Sequence, residues 1–290
     1  MSMRRWVLHL TFWLCIFAPS TTYAEVSVST RIELAGYQTA LAHRLVRALC
    51  YAQADIHRDE NLQLAVETRD EISTLLDAMI EGNEARGIAA ETDSTTQTLL
   101  SSTQKIWTPT KKKVDAYLSG EPFTDKNLTK LSFKADSLQK SWASLISRYE
   151  LKSTVVGGAH NLGVARHIAA ANRQSSLIEQ AGKLSCLVWL NGGPDKAKYQ
   201  FDQLSQILPT FHLNTFGLAF SHTAIGLPPP PTFDIQTRNF ESWLEWVSLS
   251  GMFDATLDGK VSPDELIAMA HGINMLTLTF TETMKLYLQL

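Results

Sequence analysis

The sequence predicts an all-α protein laid out as two tandem four-helix units. Three observations lead there. Apolar residues recur three and four positions apart along most of the chain, with no sustained two-residue alternation that would suggest a sheet. An ordered series of residues recurs at a nearly constant long spacing. The helix-breaking glycines and prolines gather between the periodic segments rather than inside them.

The chain has 290 residues. Its first 24 read as a secretory leader: Arg4 and Arg5 form a basic start, Trp6 to Ala18 is apolar, and Thr22-Tyr23-Ala24 offers small residues for cleavage. The apolar run is shorter than the roughly 20 residues a membrane span needs. Bulky Phe12, Trp13 and Leu14 before Cys15 argue against lipoprotein processing. The expected mature protein is periplasmic or secreted, with no membrane span and no transmitting domain after its last helix.

From there the helices follow in order. Leu41, Leu45, Val46, Leu49 and Ala52 set one buried stripe, and Ile72, Leu75, Leu76 and Met79 set a second that stops at Gly82. A third segment spans about 98–118 and ends near Gly120. A fourth spans about 124–151 and carries Leu128, Leu131, Leu138, Trp142, Leu145 and Ile146. Four more are expected at about 161–191, 196–213, 233–252 and 262–289. Gly157-Gly158 marks the seam, and Pro228 to Pro231 makes a stiff loop. The expected domains are 25–153 and 159–290, each a four-helix bundle.

The long-range series underlies this division. Ile32, Ala35, Gln38 and Leu41 return as Ile168, Ala171, Gln174 and Leu177, and Cys50 returns as Cys186. Trp107 pairs with Trp243 at the same spacing, while Gly120/Gly259, Leu128/Leu266 and Tyr149/Tyr287 sit two or three residues further apart. Small loop insertions account for such drift. The net charge of −3 and the absence of a basic stripe with interleaved aromatics exclude nucleic acid as the expected partner.

The segment from Ile32 to Arg44, with Ala35, Gly36, Gln38 and Leu41, resembles the opening helix of the type IV pili methyl-accepting chemotaxis transducer N-terminal domain, the PilJ-like and NarX-like sensor family. Ile168, Ala171, Arg173, Gln174 and Leu177 fit the same signature in the second copy. The resemblance implies a periplasmic four-helix sensory domain, used as a dimer whose first helices pack together and hold a small anion with arginines. Forked, always-charged donors suit that task. The signature arginines are largely replaced here, by Tyr37, Thr39 and Ser175, and only Arg173 remains. Glu33 and Ala169 stand where the family has asparagine. Nitrate is therefore not the expected ligand.

If two linked copies imitate the family dimer, the first and fifth helices pack across a pseudo-twofold axis. Gly36, His43 and Cys50 then share a seam with Asn172, Glu179 and Cys186, so that Cys50 reaches Cys186 in a disulfide and His43 faces Glu179. The cysteine count alone leaves disulfide and free thiols equally open. The resemblance places a small ligand, expected to be anionic, near Glu33, Tyr37, Thr39, Ala169, Arg173 and Ser175. The expected role is that of a soluble sensory or ligand-binding module acting through a membrane receptor or a pilus or chemotaxis partner. The alternative is a structural or interaction module that has lost its ligand.

Asp254, Thr256, Asp258, Ser262 and Glu265, with Gly259 at the turn, follow the ligand order of an EF-hand calcium loop. Thr256 and bulky Leu257 depart from that pattern. The competing and preferred reading is a glycine turn followed by a capping box, with Ser262 as N-cap, Pro263 first in the helix and Glu265 three residues on. The histidines lack zinc spacing. No nucleophile elbow or Cys/His arrangement nominates a reaction, so an enzyme is not expected. Trp243 and Trp246 are both read as core.

Overall fold

The computed structural model describes residues 28–156, 158–222, 224 and 226–290, with the side chains of 153–165 excepted. The proposed leader and Cys15 lie outside the described residues. Among the described residues there are eight α-helices: α1 (Val28–Gln53), α2 (Arg58–Glu81), α3 (Ser94–Leu118), α4 (Asp125–Val156), α5 (Gly158–Leu190), α6 (Lys198–Phe220), α7 (Phe233–Leu257) and α8 (Pro263–Tyr287). Among the described residues there is no strand, only two isolated antiparallel bridges, Asn83–Ile88 and His222–Leu227. No described helix is long and apolar enough to cross a membrane.

Helices α1 and α5 form the centre. Each is rich in alanine and apolar residues all round, so neither has a strongly polar face to give to water. From Ile32 to Ala52 nearly every α1 residue is buried. Around them, α1 packs on α2, α4 and α5, while α5 packs on α4, α6 and α8; α3 joins α2 to α4, and α7 joins α6 to α8. Two features bring α1 and α5 together. Gly36 has no Cβ, and one placed there would run into the side chain of Asn172. Fourteen residues on, Cys50 and Cys186 form a fully buried disulfide with Cα atoms 6.2 Å apart.

The outer helices are built from local signals. Asp93 caps α3 by accepting from the Thr96 N–H, and Thr232 caps α7 by accepting from the Ile235 N–H. Gly82 ends α2 with φ 87°, whereas Ser221 takes φ 72° at the end of α6, a strained choice for a residue with a Cβ. Helix α6 runs past the expected 213 to Phe220, through Pro209. Tertiary packing carries it on, because Phe211, Thr215 and Leu218 are buried against neighbouring helices.

The same contacts recur along the chain. Gln38 donates to the Ile72 carbonyl at 3.1 Å, and Gln174 donates to the Phe211 carbonyl at 2.8 Å. Trp107 donates its indole N–H to Ser73 at 3.1 Å, and Trp246 donates to His212 at 3.1 Å. By these contacts the counterpart of Trp107 is Trp246, not Trp243. Trp246 is buried, but Trp243 is only half-buried, so it is not a core residue like its neighbour. The reason is a length change: the α1–α2 connection covers 54–57 and the α5–α6 connection covers 191–197, three residues more. Beyond it the spacing becomes 139, as from Trp107 to Trp246, and the bridges Asn83–Ile88 and His222–Leu227 obey it too.

The disulfide closes a loop of 136 residues. Constraining so long a loop in the unfolded chain stabilises the fold by about 5 kcal/mol in the chain-entropy description. Replacing both cysteines (Cys50→Ser with Cys186→Ser) is expected to lower the unfolding free energy by about 2–4 kcal/mol in urea titrations. A loss under about 0.5 kcal/mol would show that helix packing alone holds α1 to α5.

Candidate functional site

A cleft of about 790 Å³ opens beside the central helix pair, walled by α4 and α5. It exists because the facing residues are small: Ala143 and Ser147 on α4, Ala169, Ala170 and Ser176 on α5. Helical spacing then aims longer side chains into the same space. Arg166 and Arg173 lie seven residues apart on one face of α5, and Lys140 and Glu150 project from α4. Thr39 of α1 lines it too, its hydroxyl donating to the Gly36 carbonyl at 2.7 Å. Burial pushes the Glu150 carboxyl above its ordinary value, against the pull of Arg166. Among the described residues neither Lys140 nor Arg173 has an ion-pair partner. Three exposed cations against one carboxylate give this open cleft a net positive lining.

Two buried ionic clusters flank the α1–α5 seam. In the first, Arg47 is fully buried and donates to Glu179 at 2.7 Å and to Asn274 at 2.6 Å. Arg44 adds a bond to Glu179 at 2.9 Å, and Thr277 another at 3.3 Å. Burial alone pushes the Glu179 carboxyl up, but Arg47 and Arg44 outweigh it and hold it below its ordinary value. In the second, fully buried Lys183 donates to Asp136 at 2.6 Å, and His43 lies 4.0 Å from the same carboxylate. Burial, reinforced by Lys183, holds the His43 pKa well below 6.5 and outweighs a bond with Gln139, so the ring is neutral. His43 therefore faces Asp136 and Lys183, not Glu179, whose oxygens are taken by the arginines.

The residues nominated as a ligand set are divided by the structure. Thr39 and Arg173 line the cleft, and Ala169 with them. Glu33 sits near Lys285 of α8, its carboxyl raised by burial against the pull of that lysine. Tyr37 lies beside Arg44. Ser175 is buried, with its hydroxyl 3.4 Å from the Ala171 carbonyl. Residues two apart on a helix point to nearly opposite sides, so Tyr37 cannot share a face with Thr39, nor Ser175 with Arg173.

The calcium-loop residues do not encircle a common point. Asp254 and Thr256 belong to the last turn of α7, and the buried Thr256 hydroxyl donates to the Met252 carbonyl at 3.1 Å. Asp258 is the C-cap and Gly259 has φ 68°. Ser262 and Glu265 form a reciprocal capping box, the Ser262 N–H donating to the Glu265 carboxylate at 2.8 Å. Its carboxylate is thus engaged by the helix end and held low. Among the described residues no group of three or more His, Cys, Asp or Glu side chains could hold a metal.

Comparison with protein-family models, with curated proteins and with solved structures finds no match. The site therefore stands on its own geometry. Lys140, Arg166, Arg47, Lys183 and Asp136 were not singled out in the sequence. A signal was there: Arg47 and Lys183 are charges set in otherwise apolar helical runs, at the same spacing as the cysteines.

The buried clusters dictate a response to acid. The unfolded His43 takes up a proton below about pH 6.5, but the folded one, facing Lys183, Asp136 and Gln139, does not until far lower. Stability is expected to fall as pH drops below that value. A further loss follows below 4.5, as pH falls through the lowered pKa of Glu179. Urea titrations across this range check it, and His43→Gln should flatten the upper part of the profile only.

Proposed function

We propose that this chain is an exported sensory or ligand-binding module of the PilJ-like kind, two four-helix units related by a pseudo-twofold between α1 and α5. In this reading one chain supplies both halves of what the family builds as a dimer. It takes a small anionic molecule in the α4–α5 cleft and acts through a partner protein. The single observation carrying the ligand is the convergence of Lys140, Arg166 and Arg173 on one cavity that holds a single carboxylate, Glu150. The positions 136 residues before Arg173 and Arg166 hold Tyr37 and Thr30, so the two arginines have no counterparts across the axis, and one ligand per chain is expected.

A carboxylate or oxyanion ligand at a hundredfold excess over its dissociation constant is expected to add about 2.7 kcal/mol of stability. For a chain this size that is a rise of about 5 °C in melting temperature. The probes are nitrate, sulfate, citrate and short dicarboxylates, and Arg173→Ala or Arg166→Ala should abolish the shift. No shift with any of them, or an equal shift in both variants, sinks the ligand reading.

The pseudo-twofold reading is supported by the buried clusters. Arg47 and Lys183 are equivalent at a spacing of 136, His43 and Glu179 likewise, and Asp136 and Asn274 correspond at 138. Each cation has one carboxylate, supplied by the central helix in one cluster and by the outer helix in the other. Asp136→Asn alone leaves Lys183 buried without a counter-charge and should cost about 3 kcal/mol. Adding His43→Glu recreates the arrangement around Arg47 and should restore most of the loss in a double-mutant cycle. Additive losses would show that the two clusters are not equivalent.

A further inference from the structure

The outward face of α6 and α7 carries an apolar stripe that packing inside the chain does not explain. Leu213, Phe216 and Phe220 follow one another at helical spacing on α6, and Phe240, Trp243, Leu244 and Val247 do so on α7. Six of these are exposed, from 38% at Phe216 to 52% at Leu244. They form one surface: Phe216 meets Trp243 edge-on at 5.3 Å, and Phe220 meets Phe240 at 5.8 Å and Trp243 at 6.2 Å.

The chain contains its own control. Helices α2 and α3 are held by the same contacts as α6 and α7, at the spacing that relates Trp107 to Trp246. The positions matching Phe216, Phe220, Phe240, Trp243, Leu244 and Val247 are Asp77, Glu81, Ser101, Gln104, Lys105 and Thr108. Every one is polar. The helix pair therefore folds without apolar residues there, and their presence on α6 and α7 calls for something outside the chain to cover them.

We propose that this face is covered by the same face of a second copy, in a twofold dimer. The stripe leaves on the order of 500 Å² of apolar surface open, counting a partly exposed aromatic at roughly 80–100 Å². With a polar rim that approaches the ~800 Å² per partner of a standard stable interface. The stripe has no charged residue at its centre, as the core of a homodimer interface requires. Its rim carries both signs, Arg238 paired with Glu241 at 2.9 Å and with Glu282 at 3.5 Å, and Glu245 beside them. An acidic excess of that kind repels an anionic lipid surface, whereas in an isologous contact Arg238 of each copy can offset the carboxylates of the other.

The test is sedimentation velocity on the chain as the cell processes it, over a range of micromolar concentrations. The wild type is expected at twice the chain mass. Phe216→Asp with Trp243→Gln, which installs the residues of the first half, is expected to raise the dissociation constant at least about a hundredfold, with unchanged helical circular dichroism. Leu244→Lys with Val247→Thr alters only outward positions and should do the same if the first pair fails to fold. A wild type that stays monomeric at high micromolar concentration overturns the proposal, as does a dimer that both variants leave intact. Monomers that bind phosphatidylethanolamine–phosphatidylglycerol vesicles through this stripe would overturn it in favour of a membrane surface.

Discussion

The close approach of α1 and α5 is the constraint from which the rest of the molecule follows. Gly36 and the Asn172 side chain interlock at one end of the contact, and the Cys50–Cys186 bond fixes it further along. Two helices pressed together and wrapped on most of their remaining sides have little surface left for water. Their sequence must then be apolar all round or carry polar groups that are partnered. Gln38 and Gln174 meet that demand by reaching carbonyls of α2 and α6, which docks the neighbouring helix and satisfies the amide in one contact. Gly182 meets it by leaving room for Arg47 and Ile273, where a Cβ would collide with both.

Arg47 and Lys183 show how a costly feature is accommodated. A buried cation loses its hydration and is tolerable only beside a counter-charge with further hydrogen bonds. Either of two neighbouring positions can supply that charge, and each cluster uses a different one. Glu179 answers Arg47 from the central helix, leaving Asn274 as a neutral acceptor. Asp136 answers Lys183 from α4, and burial beside Lys183 keeps His43 neutral. A second carboxylate at either place would be repelled, and none at either would strand the cation. The two positions on each side are therefore constrained jointly.

The helical class was legible because it rests on local spacing: stripes such as Leu41, Leu45 and Leu49 and caps such as Ser262 with Glu265 are short-range signals. The pairing of the tryptophans was misread because identity at constant spacing hides an insertion, and three extra residues in the α5–α6 connection move the buried partner from Trp243 to Trp246. The candidate site was half legible. Arg173 stood out as a lone cation, and Arg166, seven residues before it on the same face of α5, was readable from spacing but passed over, whereas Lys140 joins them only through the packing of α4 on α5, a long-range fact with no sequence signature. Tyr37, Thr39, Arg173 and Ser175 were grouped by position in a motif, though residues two apart on a helix diverge.

Several corresponding positions agree in the interior, whereas the outer surfaces of α6 and α7 differ from those of α2 and α3. Leu128 and Leu266, Tyr149 and Tyr287, and Trp142 and Phe280 are all buried, because packing tolerates little variation in volume at such sites. Outside, the same scaffold carries aspartate and glutamine on α2 and α3 where α6 and α7 carry phenylalanine and tryptophan. Likewise Arg173 faces a cavity on one side of the seam, while Tyr37 lies against Arg44 on the other. The cleft lined by Arg173 and the apolar stripe of α6 and α7 are the places where corresponding positions part most clearly.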